Sequence, residues 1–234
     1  MALPRVNAPK YELTVPSTGK KVQYRPYLVK EEKLLMIAME SGDEGQMITA
    51  IKDIIQECTF GEVDVTKLPM FDIEYIFVKI RSKSVGESTT VKISCSSCSQ
   101  MSEVTIDMDK EMKVTESPDM LIKLTPELSI KMRYPSMNDY LDIINSKDKD
   151  IDKIFNMIAM SIDTIFAGDD VYDVKNESKK EVQSFIESLN ASQFQLVRDF
   201  FESMPQTSIH VNFDCEHCGH HHDMDLKGLK SFFN

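Results

Sequence analysis

The spacing of apolar residues changes several times along the chain, and each change marks an element. Tyr11-Glu12-Leu13-Thr14-Val15 alternates, meets Pro16-Ser17-Thr18-Gly19, and alternation resumes from Lys20 to Tyr24. Period two on both sides of a Pro, Ser and Gly turn predicts a β-hairpin. Leu34, Leu35 and Ala38 then mark a helix that Gly42 and Asp43 end. Met47, Ile48, Ile51, Ile54 and Ile55 recur at i, i+1, i+4, i+7 and i+8, which places all five on one helical face. Pro69 opens another helix with Phe71, Ile76, Phe77 and Ile80 facing inward, and Gly86 closes it.

Alternation then returns. Thr89-Thr90-Val91-Lys92-Ile93 and Glu103-Val104-Thr105-Ile106-Asp107 are rich in β-branched residues and read as strands. Leu121 to Leu124 and Leu128 to Met132 flank Thr125-Pro126-Glu127 as a further hairpin. Residues 136–204 read as helical. Ile151, Ile154, Phe155, Ile158, Ile162, Ile165 and Phe166 form a continuous stripe that predicts one long helix, stopped by Gly168-Asp169-Asp170. Ser178-Lys179-Lys180-Glu181 is a capping box ahead of Val182, Phe185, Ile186 and Leu189. Phe194, Val197, Phe201 and Met204 mark the next helix, closed by Pro205. Ile209, Val211 and Phe213 alternate again, and Met224 and Leu226 continue that pattern further on. The ends read as an extended arm over residues 1–10 and a short helix from Leu226 to Phe233.

Two of the predicted turns carry Cys-x-x-Cys. One is Cys95-Ser96-Ser97-Cys98, and the other is Cys215-Glu216-His217-Cys218-Gly219, about 120 residues further on. Such a turn points both sulfurs at one place. Glycine after the second cysteine suits it because glycine accepts positive φ; Gly219 fits, and Ser99 is the less suitable equivalent. Two such turns from two hairpins make a zinc ribbon whose closed, four-thiolate site is typical of structural zinc. Binding at sites of this kind adds an apparent ~10–16 kcal/mol to folding. If the pairs converge, the residues between them are an insertion held at both ends.

Other uses of these cysteines fit less well. Neither pair opens a helix in a βαβ context, as a redox dithiol does. Two disulfides do not suit a reducing cytoplasm. All five histidines lie between 210 and 222, and His217, His220, His221 or His222 could replace a cysteine as ligand. A catalytic zinc would need an open position, which four thiolates fill. Cys58 is left over, and in Ile54-Ile55-Gln56-Glu57-Cys58 it reads as a small buried hydrophobe.

Composition narrows the function classes. The chain has 234 residues and a net charge of −11, without a basic run longer than pairs such as Lys20-Lys21. That balance disfavours a nucleic-acid partner. No apolar stretch approaches the roughly 18 residues of a membrane span, and the N-terminus lacks a signal-peptide pattern. The expectation is a soluble cytoplasmic protein. Fifteen methionines and no tryptophan are most simply core filling, with an adaptable contact surface as the alternative. No P-loop, dinucleotide, zincin or nucleophile-elbow motif occurs. Asp169, Asp170 and Asp173 lack the spacing of a calcium loop and read as a solvated junction. Nothing points to an enzyme.

Two stretches carry a resemblance. Val6-Asn7-Ala8-Pro9-Lys10-Tyr11-Glu12-Leu13 runs through Pro16-Ser17-Thr18-Gly19-Lys20 to Tyr24-Arg25-Pro26-Tyr27-Leu28-Val29-Lys30-Glu31-Glu32-Lys33. The second runs from Leu68-Pro69-Met70-Phe71-Asp72-Ile73-Glu74-Tyr75-Ile76 to Lys79-Ile80-Arg81-Ser82-Lys83-Ser84-Val85-Gly86-Glu87. Both resemble the baseplate hub and hub-assembly proteins of T-even-like tailed bacteriophages, and the likeness spans the chain, including the order of the cysteine turns. The resemblance implies a non-enzymatic protein that helps to build, or forms part of, the central hub of a contractile-tail baseplate. Its implied partners are other baseplate hub and tail proteins. Its implied place is the host cell cytoplasm during assembly, with the virion baseplate as the alternative.

The combined reading is an α+β protein. Residues 1–88 form an N-terminal hairpin with helices, and 89–108 the first ribbon hairpin. Residues 109–205 form an inserted hairpin and mainly helical subdomain, and 206–234 the second ribbon hairpin with a terminal helix. Cys95, Cys98, Cys215 and Cys218 are the expected ligands of a structural Zn2+. The rival reading is a nucleic-acid-binding zinc-ribbon accessory factor, against which the acidic balance weighs.

Overall fold

Leu13 and Val22 face each other across a hairpin of β1 (Tyr11–Thr14) and β2 (Lys21–Tyr24), and both are buried. Their polar neighbours point to water, so alternation alone decides the register. This hairpin begins the computed structural model, which describes residues 7–228. Three helices follow. The first is α1 (Val29–Ser41), ended by Gly42 in the left-handed conformation at φ 65°. The second is α2 (Glu44–Cys58), whose Asp43 side chain accepts the Gln46 N–H at 2.7 Å. Ile48, Ile51, Ile54, Ile55 and Cys58 form its buried face.

The third, α3 (Met70–Val85), starts after Pro69 and is enclosed on most sides. Ile73 and Val78 are buried along with Phe71, Ile76, Phe77 and Ile80. Strands β3 (Ser88–Ser94) and β4 (Met101–Asp107) make the first cysteine hairpin. Strands β10 (Thr207–Asp214) and β11 (His221–Lys227) make the second, with the short β5 (Met112–Val114) on the other edge of β10. Val78 of α3 packs with Val91, Ile93, Val104 and Ile106 from one hairpin and with Ile209 and Val211 from the other. Burying each such side chain contributes roughly 1.5–3 kcal/mol, so one apolar cluster brings the two hairpins together. The Thr207 hydroxyl donates to the Phe71 carbonyl at 2.7 Å and fixes the start of β10.

These elements belong to one compact unit, the described parts of which are 7–114 and 206–228. The chain leaves it after Val114 and returns at Gln206, and Val114 is paired with Thr207 across β5 and β10. Between them lies a second unit, Thr115–Pro205. It has a four-stranded antiparallel sheet in the order β6 (Leu121–Lys123), β7 (Leu128–Met132), β8 (Ile162–Ala167), β9 (Asp170–Asp173). Its helices are α4 (Met137–Asn145), α5 (Asp150–Met160), α6 (Lys179–Glu187) and α7 (Ala191–Glu202). Ile130, Met132, Ile158, Ile165, Ile186 and Val197 are among its core residues. Capping boxes start α4 (Ser136, Asp139), α6 (Ser178, Glu181) and α7 (Asn190, Gln193).

The mixed α and β class agrees with the sequence reading, and two local expectations are corrected. The long helix expected over Ile151 to Phe166 ends at Met160, and Ile162–Ala167 is a strand. Residues 158, 162 and 165 satisfy helical spacing, but Ile162, Thr164 and Ile165 are β-branched and find a paired partner in β7. Ile151 and Ile154, within the part that is helical, are exposed. The terminal helix expected from Leu226 also fails at its start, because Leu226 and Lys227 complete β11. Residues 229–234 of that expectation, and 1–6 of the expected arm, lie outside the described residues. Among the described residues no helix is long and apolar enough to cross a membrane.

Candidate metal centre

The two cysteine turns have the same backbone. In the first, the Cys95 N–H donates to the Gln100 carbonyl at 2.8 Å and the Ser99 N–H donates to the Cys95 carbonyl at 2.9 Å. In the second, Cys215 to His220 and Gly219 to Cys215 repeat both bonds at 2.9 Å. The fifth residue is left-handed in each, Ser99 at φ 60° and Gly219 at φ 71°. The strain expected at Ser99 is therefore present.

The turns meet. Cys95 Sγ lies 3.7 Å from Cys218 Sγ, and Cys98 Sγ lies 3.7 Å from Cys215 Sγ. All four sulfurs fall within 4.8 Å of one another. A tetrahedral ion with Zn–S bonds of ~2.3 Å sets neighbouring sulfurs ~3.8 Å apart. A disulfide needs ~2.05 Å. The spacing thus fits four separate thiolates around one ion, and the soft donor set fits Zn2+. Cys95 and Cys215 are buried, Cys98 is half-buried and Cys218 is exposed.

Hydrogen-bond donors surround the sulfurs. The Ser97 N–H reaches Cys95 Sγ at 3.4 Å, and the buried Ser102 hydroxyl reaches Cys215 Sγ at 3.6 Å. Backbone N–H from His217, with help from Ser102 and the Cys218 N–H, holds Cys215 down at about 5 against the effect of burial. The Gln100 N–H favours the Cys98 thiolate, yet burial and the three facing sulfurs push Cys98 up to about 12. Cys98 and Cys215 lie close enough for the charge on one to bear on the other. Adding negative charge at one opposes it at the next, and a divalent cation at the centre removes that opposition.

His222 is the histidine brought to the sulfurs. It is buried, stacks on Phe213 at 4.7 Å, and sets Nε2 3.2 Å from Cys95 Sγ. The other three candidates have different contacts. His217 Nε2 lies 3.2 Å from the Met101 carbonyl, His221 Nδ1 lies 2.7 Å from Asp214, and His220 rests edge-on against His222. Sequence reasoning did not single out Ser102. Its signal was available, since Ser102 shares the inward face of β4 with Val104 and Ile106. Cys58 is apart from this group, fully buried at the end of α2, with its thiol pushed up to about 12 by burial.

One more turn shares this backbone. Val15 N–H donates to Lys20 at 2.9 Å, Gly19 N–H donates to Val15 at 2.8 Å, and Gly19 has φ 66°. The β1–β2 hairpin is thus a third loop of the same form, with Val15 and Thr18 where the others have cysteine.

The family described as T4 bacteriophage base plate protein matches residues 8–234. The chain belongs to that family. Within the T4 base plate protein family it is similar to the baseplate hub assembly protein gp26 of Enterobacteria phage T4, at 24% identity over 227 residues, covering 96% of this chain and 98% of that one. No solved structure matches this base plate family member.

Proposed function

We propose that this protein acts in building the central hub of a contractile-tail baseplate, as an assembly factor or a structural subunit. The observation that carries the reading is the family match over 8–234, joined by near full-length similarity to a hub assembly protein. The role is non-enzymatic and works through contacts with other hub and tail proteins, in the host cytoplasm during assembly. In this reading Cys95, Cys98, Cys215 and Cys218 hold one structural Zn2+. Four thiolates leave no position for a water nucleophile, so the ion would clasp two hairpins and perform no chemistry on a substrate. Residues 1–108 and 206–234 would then serve as a clasped base from which 109–205 is presented to partners.

The deciding experiment isolates baseplates from cells infected with phage lacking this gene. Hubs that are missing or incomplete, and restored by the gene supplied in trans, support the proposal. Normal hubs overturn it.

A further inference from the structure

Helix α1 is apolar on two sides. Leu35 and Ala38 face the core together with Glu31, which is held by Arg25 at 2.9 Å. On the far side Val29, Met36 and Ile37 are 80%, 59% and 53% exposed, with Leu34 and Met39 exposed beside them. A helix that needs only a narrow stripe for its own core rarely carries so many large apolar groups outward.

The polar residues on that outer face are ordered. Positions 29, 33, 36 and 40 lie in one stripe, at i, i+4, i+7 and i+11. The stripe reads Val29, Lys33, Met36, Glu40. Lys33 and Glu40 stand about two turns apart with opposite charge, and among the described residues neither has a recorded ion-pair partner.

We propose that this face binds a second copy of the chain, with the two α1 helices antiparallel across a two-fold axis between Met36 and Ile37. Such an axis makes contacts reciprocal. It sets Lys33 opposite Glu40 of the other copy, twice, and Met36 against Ile37 of the other copy. A parallel arrangement would oppose Lys33 to Lys33 and Glu40 to Glu40. Charge order therefore selects the antiparallel copy, as flanking and seam charges do in coiled coils. One helix face is smaller than the ~800 Å² per partner of a standard interface, so the pairing is weak and rises with concentration. It is independent of the metal and of the baseplate role.

Sedimentation of the full-length, metal-loaded protein over a wide concentration range tests it. The expected result is reversible growth of the average mass toward twice the 26.8 kDa chain. Lys33→Glu or Glu40→Lys alone weakens association by roughly fivefold or more, because two attractive pairs become repulsive. The double variant Lys33→Glu with Glu40→Lys regains native association. Met36→Glu abolishes it while leaving the thermal melt unchanged, since Met36 supports no core. A chain that stays monomeric up to hundreds of micromolar overturns the proposal, as does association indifferent to the single swaps or not restored by the double one. If Met36→Glu blocks incorporation into hubs although the native chain is monomeric, the face belongs to a different protein and the second-copy assignment is wrong.

Discussion

The Val15–Lys20 loop and the two cysteine loops share one backbone and differ in what holds their tips. In the cysteine loops the amide at the third position turns back to sulfur: Ser97 N–H to Cys95, and His217 N–H to Cys215. In the first loop the equivalent amide, of Ser17, donates to the Asp72 carboxyl at 3.0 Å, and the Ser17 hydroxyl bonds the other oxygen. Asp72 sits in the first turn of α3 and is fully buried. The same turn is therefore tied in two ways. One tie runs through a cluster of sulfurs shared between hairpins, and the other through a single carboxyl supplied by a helix. The turn geometry does not require metal; the cysteines bring the tips of two hairpins to within sulfur contact of each other.

The contrast can be broken most severely at the sulfurs. Cys98→Ser or Cys215→Ser is expected to lose the bound metal and to lower the melting temperature by on the order of 10 °C or more, across the whole chain. Elemental analysis and calorimetry read this out. A Cys215→Ser protein that keeps its metal and melts normally would mean that the two loops do not share an ion.

Asp72→Ala attacks the other tie. It removes the buried carboxyl that accepts both Ser17 bonds, at about 0.5–1.5 kcal/mol each, and so costs about 1–3 kcal/mol, while metal content stays native. The pH dependence has a definite sign. Burial raises the Asp72 value and outweighs the two bonds from Ser17. A carboxyl raised in the folded state contributes most below its unfolded value, and that contribution is lost as pH rises through the folded one. Denaturation of Asp72→Asn against the native chain is thus expected to show the variant gaining relative stability as pH increases through that window.

Two smaller changes sharpen the picture. His222→Phe keeps the stack on Phe213 and removes the nitrogen beside Cys95. Metal is retained but passes to a chelator faster, by about tenfold, as for other outer-shell partners. Ser99→Gly relieves the left-handed serine that the other two loops avoid. It is expected to stabilise by about 0.5–1 kcal/mol in urea titration, with metal content unchanged.

Much of this was legible in the residues. Alternation around Leu13 and Val22, the four-isoleucine face of α2 and the capping box at Ser178 are local signals, and local structure obeys them. The meeting of Cys95 and Cys98 with Cys215 and Cys218 could be anticipated because sulfur spacing encodes its own geometry. The rest depends on distant partners. Strand β8 reads as helix until β7 is beside it, and β5 is too short at three residues to show a period. Asp72 stands four residues before Ile76 on the apolar stripe of α3. Its purpose is visible only once Ser17 arrives from the other side.

The pairing of Val114 with Thr207 has a practical consequence. Residues facing each other across antiparallel strands lie about 5 Å apart, a gap that a tight hairpin turn spans. The stretch 115–205 is thus a removable cartridge. A chain in which a short turn joins β5 directly to β10 would retain all four cysteines and all three loops. The excised piece, expressed alone with its own sheet and helices, could be mixed back in to ask which half a hub protein captures.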